Sequence, residues 1–329
     1  LFFSSMDPRF RGDERDWVLG NKIKSFAALI AAVSVSACVS FPDAPPAQFA
    51  PRIEADGLHS IDGAVLGLQR WEAPEPRAII IALHGMNDYS HMFSGPADYW
   101  VQHGVTTYAL DQRGFGRSPA FGHWAGEETM VADLRAAIEA ARDKHPGLPV
   151  FVAGHSMGAG VIIAAEAESP LGADGLILAA PGVWGGRALP IPYRISANVA
   201  AVFAPGKTLS GERVQRRATD NTEILREMWA DPLVIKETRV DAILGVTRVM
   251  GAAYNNADEV RSDILFLMGE KDEIIPLKAM ENTAMRLSGD ITFRRYPDGW
   301  HMLFRDLQAP VVWRDVADWV SARSVSSGE

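Results

Sequence analysis

The chain has 329 residues, 47% of them hydrophobic and 22% charged, with a formal net charge of −9. That balance argues against a nucleic-acid partner, because phosphate binding needs clustered Lys and Arg. The single cysteine excludes an internal disulfide, and the length suits one large domain or a domain carrying an insertion.

Residues 1–17 begin at Leu1, and Met6-Asp7-Pro8-Arg9-Phe10-Arg11-Gly12-Asp13 reads as a translated intergenic repeat, so a translation start near Val18 or Leu19 is expected. Lys22 and Lys24 then precede an apolar run over 26–33 and the small residues Ser34-Val35-Ser36-Ala37, ending at Cys38. This is a basic n-region, a short h-region and a cleavage site, and the run is too short to span a bilayer as a stable helix. Val35-Ser36-Ala37-Cys38 resembles the lipobox of bacterial lipoproteins. The resemblance implies cleavage before Cys38, acylation of its sulfur and attachment to a membrane of the cell envelope. The outer membrane, periplasmic side, is favoured because Val39 supplies no acidic retention signal. The alternative is a plain secretory signal with a periplasmic or secreted product. Residues 1–37 are therefore set aside from the fold. Residues 38–56, with Pro42, Pro45, Pro46 and Pro51, read as a Pro-rich tether.

From Gly57 onward strand-like and helix-like runs alternate. Residues 64–71 read as a strand and 73–76 as a turn. Ala78–Leu83 is a continuous apolar run suited to the centre of a parallel sheet, and it ends at His84-Gly85-Met86. A helix over 97–103, a strand Val105–Leu110 and a loop over 111–118 follow. Glu127–Lys144 carries Met130, Val131, Leu134 and Ile138 along one helical face. A strand over 148–153, an alanine-rich helix after Gly158 and a strand over 175–180 complete the run. Between 182 and 256 no β-run is visible, only helical patterns over 197–203, 222–230 and 234–250. Alternation resumes with a strand over 264–268, a helix over 276–287, a strand over 292–296 and a helix over 311–321. This order predicts an α/β fold, a mostly parallel doubly wound sheet, built from 57–181 and 257–322. The helical insertion 182–256 forms a cap over the carboxyl ends of the strands, where open α/β sheets bind ligands.

Gly154-His155-Ser156-Met157-Gly158 stands between the strand run and the helix. A serine at such a turn is a nucleophile elbow, with Oγ pushed above the sheet and the first helical N–H groups aimed at whatever it attacks. A serine nucleophile needs a base, an acid to orient the base, and donors for the oxyanion. His301 alone among the eight histidines follows a late strand on a short loop. Asp272 lies on the loop after 264–268, on the same sheet edge; Glu270 and Glu273 remain possible acids, whereas Asp298 is too close to His301 in sequence. His84 and His155 flank the site in positions that shape loops. The oxyanion donors are expected to be the N–H groups of Met157 and Met86. Gly206-Lys207-Thr208 lacks the earlier glycine and the strand of a phosphate loop, and no H-E-x-x-H pair occurs, so neither a metal nor a cofactor is implied.

Leu83-His84-Gly85-Met86, the loop Asp111-Gln112-Arg113-Gly114-Phe115-Gly116-Arg117-Ser118, the elbow, Gly269-Glu270-Lys271-Asp272 and Trp300-His301 together resemble the monoacylglycerol lipase/lysophospholipase group of α/β-hydrolases. The resemblance spans about residues 57–320. It implies an α/β-hydrolase fold, Ser156, Asp272 and His301 as triad, Met86 and Met157 as oxyanion donors, and a helical cap over an acyl pocket. The 111–118 loop reads as structural. The expected reaction is hydrolysis of a lipid or small-molecule ester through an acyl-enzyme. Alternatives are a short-chain carboxylesterase, an aminopeptidase binding an amine through cap acids Glu212, Glu223 and Glu227, and a non-catalytic envelope lipoprotein. The apolar cap stretches 199–203 and 243–250 either line an acyl channel or pack against the sheet.

Overall fold

The computed structural model describes residues 39–211 and 216–326. Cys38 and everything before it lie outside the described residues, as does Glu212. Val39 and Ser40 fall in a separate N-terminal unit and have no regular structure; the chain from Phe41 onward clusters as a second unit.

Three short strands, β1 (Arg52–Glu54), β2 (Gly57–His59) and β3 (Val65–Leu66), form a small antiparallel sheet. The chain then runs through β4 (Leu68–Trp71), β5 (Ala78–Leu83), α1 (Ser94–Val101), β6 (Val105–Leu110), α2 (Glu127–Lys144), β7 (Val150–His155), α3 (Met157–Glu168) and β8 (Gly175–Ala179). An excursion follows, with α4 (Ile191–Phe203), β9 (Thr208–Ser210), α5 (Thr222–Ala230), β10 (Glu237–Arg239) and α6 (Val240–Asn255). The chain returns as β11 (Ile264–Gly269), α7 (Leu277–Ala284), β12 (Ile291–Tyr296) and α8 (Ala309–Ser326).

Seven strands make the central sheet in the order β12-β11-β8-β7-β5-β6-β4. All neighbours are parallel except β4, which runs antiparallel to β6. The continuous apolar run of β5 is explained by burial on both faces. Ile79, Ile81 and Leu83 join a core with α2 and α3, while Ala78, Ile80 and Ala82 join a second core with α1 and α8. Each isoleucine or leucine among them contributes about 1.5–3 kcal/mol on leaving water. α3 is buried from Met157 to Glu166, because its glycines and alanines let it lie close to the sheet. α6 packs directly on α3, which roots the excursion in the core. The mostly parallel sheet, covered on both faces and interrupted by a mainly helical insertion, matches the expected fold class.

Three local readings differ from the sequence expectation. The run 64–71 is two strands, because Gly67 breaks it: its N–H binds Ser118 Oγ (2.9 Å), and any side chain there would collide with the Asp111 carboxylate. The insertion carries a two-stranded ribbon, β9 with β10, whose three-residue strands are too short to show alternation. The segment read as a tether is also partly docked. Phe41 packs against Trp124 (6.3 Å between ring centroids) under the Arg248 guanidinium, and Ala44 N–H donates to Glu128 Oε2 (3.1 Å). Arg52–Glu54 then pairs with β2. Prolines hide such a segment from periodicity, yet one aromatic ring is enough to seat it. Among the described residues no helix is long and apolar enough to cross a membrane.

Candidate active site

Ser156 sits between β7 and α3 with φ 51° and ψ −113°, a left-handed conformation that strains a residue with a side chain. Hydrogen bonds hold it there. Ser156 N–H donates to Ala179 O (3.0 Å), while Ser156 O accepts from Gly182 N–H (2.8 Å) and Gly160 N–H (3.0 Å). The elbow glycines are needed for close approach: a β-carbon at Gly158 would strike the Leu83 carbonyl, and one at Gly154 would strike the start of α3. Ser156 therefore rises at the carboxyl end of a central strand, at the N-terminus of a helix whose dipole favours negative charge.

His301 follows β12 on a short loop, and its Nε2 lies 2.9 Å from Ser156 Oγ. Its Nδ1–H points at Asp272 Oδ2, 2.8 Å away. The other Asp272 oxygen accepts from the N–H groups of Ile274 (2.8 Å) and Ile275 (2.9 Å), so the loop after β11 fixes the carboxylate. The Asp272 side chain is fully buried. Three residues spread over 145 positions thus form one hydrogen-bonded line. Glu270, Glu273 and Asp298 are exposed and engaged elsewhere: Glu270 faces Arg295 (3.9 Å), Glu273 accepts from Arg217 N–H (2.8 Å) and Asp298 pairs with Lys271 (2.6 Å).

Two buried histidines brace this line. His155 Nε2–H donates to the His301 carbonyl (2.9 Å), and burial, reinforced by the neighbouring His301 ring, pushes its pKa down to about 3. His84 is held neutral by burial as well; its Nδ1–H donates to Gly85 O (2.7 Å) and its Nε2 accepts from Gln112 N–H (3.0 Å). Gln112 Nε2–H closes the ring by donating to His84 O (2.9 Å). Gly85 is thereby pressed against Ser156: a β-carbon on it would lie 2.9 Å from His155 Nδ1 and 3.4 Å from Ser156 Cβ. Met157 opens α3 directly after Ser156, and Met86 follows Gly85, the residue that lies against the serine. In the 111–118 loop, Asp111 accepts from Ser90 N–H (2.8 Å) and Arg117 N–H (2.9 Å), and Arg113 bridges Asp62 and Asp133 (2.7 Å each). Those are structural contacts, as the sequence suggested.

The excursion contributes less clearly. Val249 of α6 is buried in the core against α3 and Leu244 is buried as well, whereas Val199 and Phe203 of α4 are exposed. A cavity of about 510 Å³ lies between α5, the 88–95 segment and residues 304–313, walled by Met92, Ile224 and Phe304; none of the triad residues lines it. Glu223 pairs with Arg226 (2.7 Å) at the surface, and Glu227 is exposed on the wall of that cavity. Among the described residues one trio, Glu54, Asp56 and His59, groups metal-type ligands, and it sits on the β1–β2 hairpin away from β7.

A strained serine bonded to a histidine that is bonded in turn to a buried aspartate is the geometry of acyl-transfer hydrolases. A family model described as serine aminopeptidase, S33 (Hydrolase_4) matches residues 74–308, well over half of the chain. The chain belongs to this family. Among its relatives this Hydrolase_4 protein is 28% identical over 255 residues to the monoacylglycerol lipase of Mycolicibacterium smegmatis, covering 75% of this chain and 89% of that protein. It is 25% identical over 295 residues to the monoglyceride lipase of Homo sapiens, covering 85% and 95%. Two solved structures share the fold. The monoacylglycerol lipase of Paleococcus ferrophilus superposes with a TM-score of 0.68 at 23% identity, over 78% of this chain and 99% of that one. A soluble variant of the Saccharomyces cerevisiae monoglyceride lipase, in complex with a substrate analog, does so with a TM-score of 0.70 at 21% identity, over 86% and 99%. The fold is therefore that of the α/β-hydrolases.

The structure brings together the serine, the aspartate and the histidine that sequence reasoning singled out. That reasoning missed Gln112, the bond from His155 to His301, and the contacts that the excursion makes with the 84–89 loop. Gln112 follows a predicted strand end, which is a detectable signal; the others are long-range contacts that leave no local pattern.

Proposed function

We propose that this serine ester hydrolase cleaves monoacylglycerol-type lipid esters, with Ser156 as nucleophile, His301 as base, Asp272 as orienting acid and the Met86 and Met157 N–H groups as oxyanion donors. The observation that carries the proposal is the Ser156–His301–Asp272 line, 2.9 and 2.8 Å long, at a strained elbow. As Ser156 Oγ attacks the ester carbonyl, its proton passes to His301 Nε2. Asp272 holds the Nδ1–H tautomer and stabilises the imidazolium. The carbonyl oxygen gains charge between two backbone donors, each worth about 2.7–4 kcal/mol in comparable sites. His301 then protonates the leaving alcohol, and a water repeats the sequence on the acyl-enzyme.

The lipid substrate class is supported by the names of the relatives, monoacylglycerol and monoglyceride lipases across the bacterial and human proteins. An aminopeptidase would need a carboxylate positioned for the substrate amine. Glu223 is paired at the surface, Glu227 is exposed and Glu212 lies outside the described residues, so what favours ester cleavage is the lipase relatives. Labelling by a fluorophosphonate probe that disappears in Ser156→Ala tests the nucleophile. Turnover of monoacylglycerols set against lysophospholipids, short-chain aryl esters and amino-acid arylamides tests the class. Activity confined to short acyl groups makes the protein a carboxylesterase, and cleavage of arylamides alone makes it an aminopeptidase.

The same proposal places the enzyme in the cell envelope through a lipid on Cys38, with the outer membrane as its site. The support is sequence alone: Lys22 and Lys24, the 26–33 run and Val35-Ser36-Ala37-Cys38. Incorporation of labelled palmitate in a bacterial host, lost in Cys38→Ala, tests it; a soluble, unlabelled, processed product would show a plain secretory signal instead.

A further inference from the structure

Asn87 directly follows Met86 and has φ 67°, a left-handed conformation for a residue with a side chain. Asparagine tolerates that region better than most, yet something must hold it there. The restraint comes from the excursion. Ile235 N–H donates to Asn87 O (2.9 Å), and Asn87 Nδ2–H donates to Thr238 Oγ1 (2.7 Å). Two residues on, Tyr89 O–H donates to Asp231 Oδ2 (2.6 Å). Three hydrogen bonds thus join residues 231–238 to the loop that carries Met86. Thr238 is itself backed by the ribbon, opposite Leu209. On its core side the loop is tied by the Asp88 N–H to Gly85 O turn (3.3 Å), by the buried Asp88–Arg305 ion pair (3.1 Å) and by the His84–Gln112 ring, none of which reaches Asn87 itself.

We propose that Asn87 is a positioning residue through which the cap sets the oxyanion hole. With residues 235–238 seated, the left-handed turn at Asn87 is held and the Met86 N–H is aimed beside Ser156. With that segment displaced, the turn relaxes and the donor is lost, so turnover proceeds only with the cap in place. The proposal rests on Met86 being an oxyanion donor. It predicts a defect in the transition state and not in substrate binding, because the clamp touches the donor loop alone.

The test uses the full-length protein and a soluble short-chain p-nitrophenyl ester, with a trifluoromethyl ketone as inhibitor, since its adduct with the serine carries the oxyanion. Thr238→Val removes the acceptor while keeping the shape of the side chain, and Asn87→Gly removes the amide while keeping access to the left-handed turn. Small displacements of catalytic groups cost up to about 10²-fold. Each variant should therefore lose about ten- to a hundred-fold in kcat with KM within about twofold, and inhibitor affinity should fall by the same factor as kcat/KM. Thr238→Ser, which restores the hydroxyl, should stay within about twofold of the parent. Thr208→Val, which breaks the ribbon's bond to Glu237 but not the clamp, should behave as the parent. Parental kcat and inhibitor affinity in Thr238→Val overturn the proposal, as does an effect on KM alone, or an equal loss in Thr238→Ser. If Ser156→Ala keeps its turnover, the hydrolase reading falls and this one with it; a dead Ser156→Ala beside a fully active Thr238→Val removes only the clamp.

Discussion

His155 holds the main-chain carbonyl of His301, 2.9 Å from its Nε2, so the residue preceding Ser156 also fixes the loop of His301. The two rings lie 5.0 Å apart. A charge on His155 would repel the imidazolium that the reaction creates, and burial prevents that charge by lowering its pKa to about 3. His155→Ala should leave the His301 loop unpinned and cut kcat by about ten-fold or more, with a smaller change in KM. Steady-state kinetics on a soluble ester decides it.

The same depressed pKa has a consequence for stability. Below the unfolded-state pKa of about 6.5, the unfolded chain takes up a proton on His155 that the folded chain refuses. The folded state is therefore undisturbed above that pH and loses stability as pH falls from about 6.5 toward 3. The slope is about 1.4 kcal/mol per pH unit for this group, so a drop from pH 6.5 to 5 costs about 2 kcal/mol. His84, shifted in the same direction by burial, adds to it. Urea unfolding between pH 7 and 5 should show a shallower pH dependence in His155→Asn than in the parent; equal slopes would sink the idea.

Asp272 is distinguished from its acidic neighbours by geometry, and mutation should follow that distinction. Asp272→Asn keeps the shape of the side chain but favours the wrong imidazole tautomer, a change that costs about 10⁴-fold in kcat in comparable triads. Glu270→Gln and Glu273→Gln touch exposed groups outside the line and should stay within about twofold, as surface changes generally do. A large loss in Glu273→Gln with a mild one in Asp272→Asn would reverse the assignment.

What could be read from the sequence follows from how far each feature reaches along the chain. The strands β5, β7 and β11 announce themselves because burial on both faces makes them continuous apolar runs. Ser156 and Asp272 were legible because each lies just past such a run, and His301 because it follows the last strand, β12, on a short loop at the same sheet edge. Glu270 and Glu273 could be separated from Asp272 only by coordinates, since all three share one loop. The ribbon of β9 and β10 escaped because strands of three residues are too short to carry a period. The clamp on Asn87 escaped because its partner is 151 residues away. Apolar stretches in the excursion were ambiguous for another reason: Leu244 packs inward and Phe203 outward, though both sit in equally apolar helices.

Ser156 pays in backbone strain for its position, and that cost can be measured. A non-glycine residue in a sparsely populated region costs about 1–3 kcal/mol. Ser156→Gly should therefore be inactive yet more stable than Ser156→Ala, which keeps the strain and loses only the hydroxyl. Thermal unfolding of the two dead variants side by side should show the glycine melting higher. Equal melting temperatures would mean that the bonds from Gly182 and Gly160 hold the turn without cost.

Phe41 would have no role in a free tether. Its ring lies against Trp124, with the Arg248 guanidinium 5.2 Å from its centroid. Trp124 in turn fills the space over Gly245 of α6, so the segment, the loop bearing Trp124 and α6 are stacked in one place. An exposed cation–π contact contributes about 0.5–1 kcal/mol, and partial burial of the ring adds a comparable amount. Phe41→Ala should accordingly lower unfolding stability by about 1–2 kcal/mol. Pro46→Ala, at an exposed position in the same segment, should stay within about 0.5 kcal/mol of the parent. Hydrogen exchange should also rise in α6 of Phe41→Ala, because one of the groups stacked on it is gone. If Phe41→Ala unfolds and exchanges like the parent, the contact contributes nothing and the segment behaves as the spacer its prolines suggest.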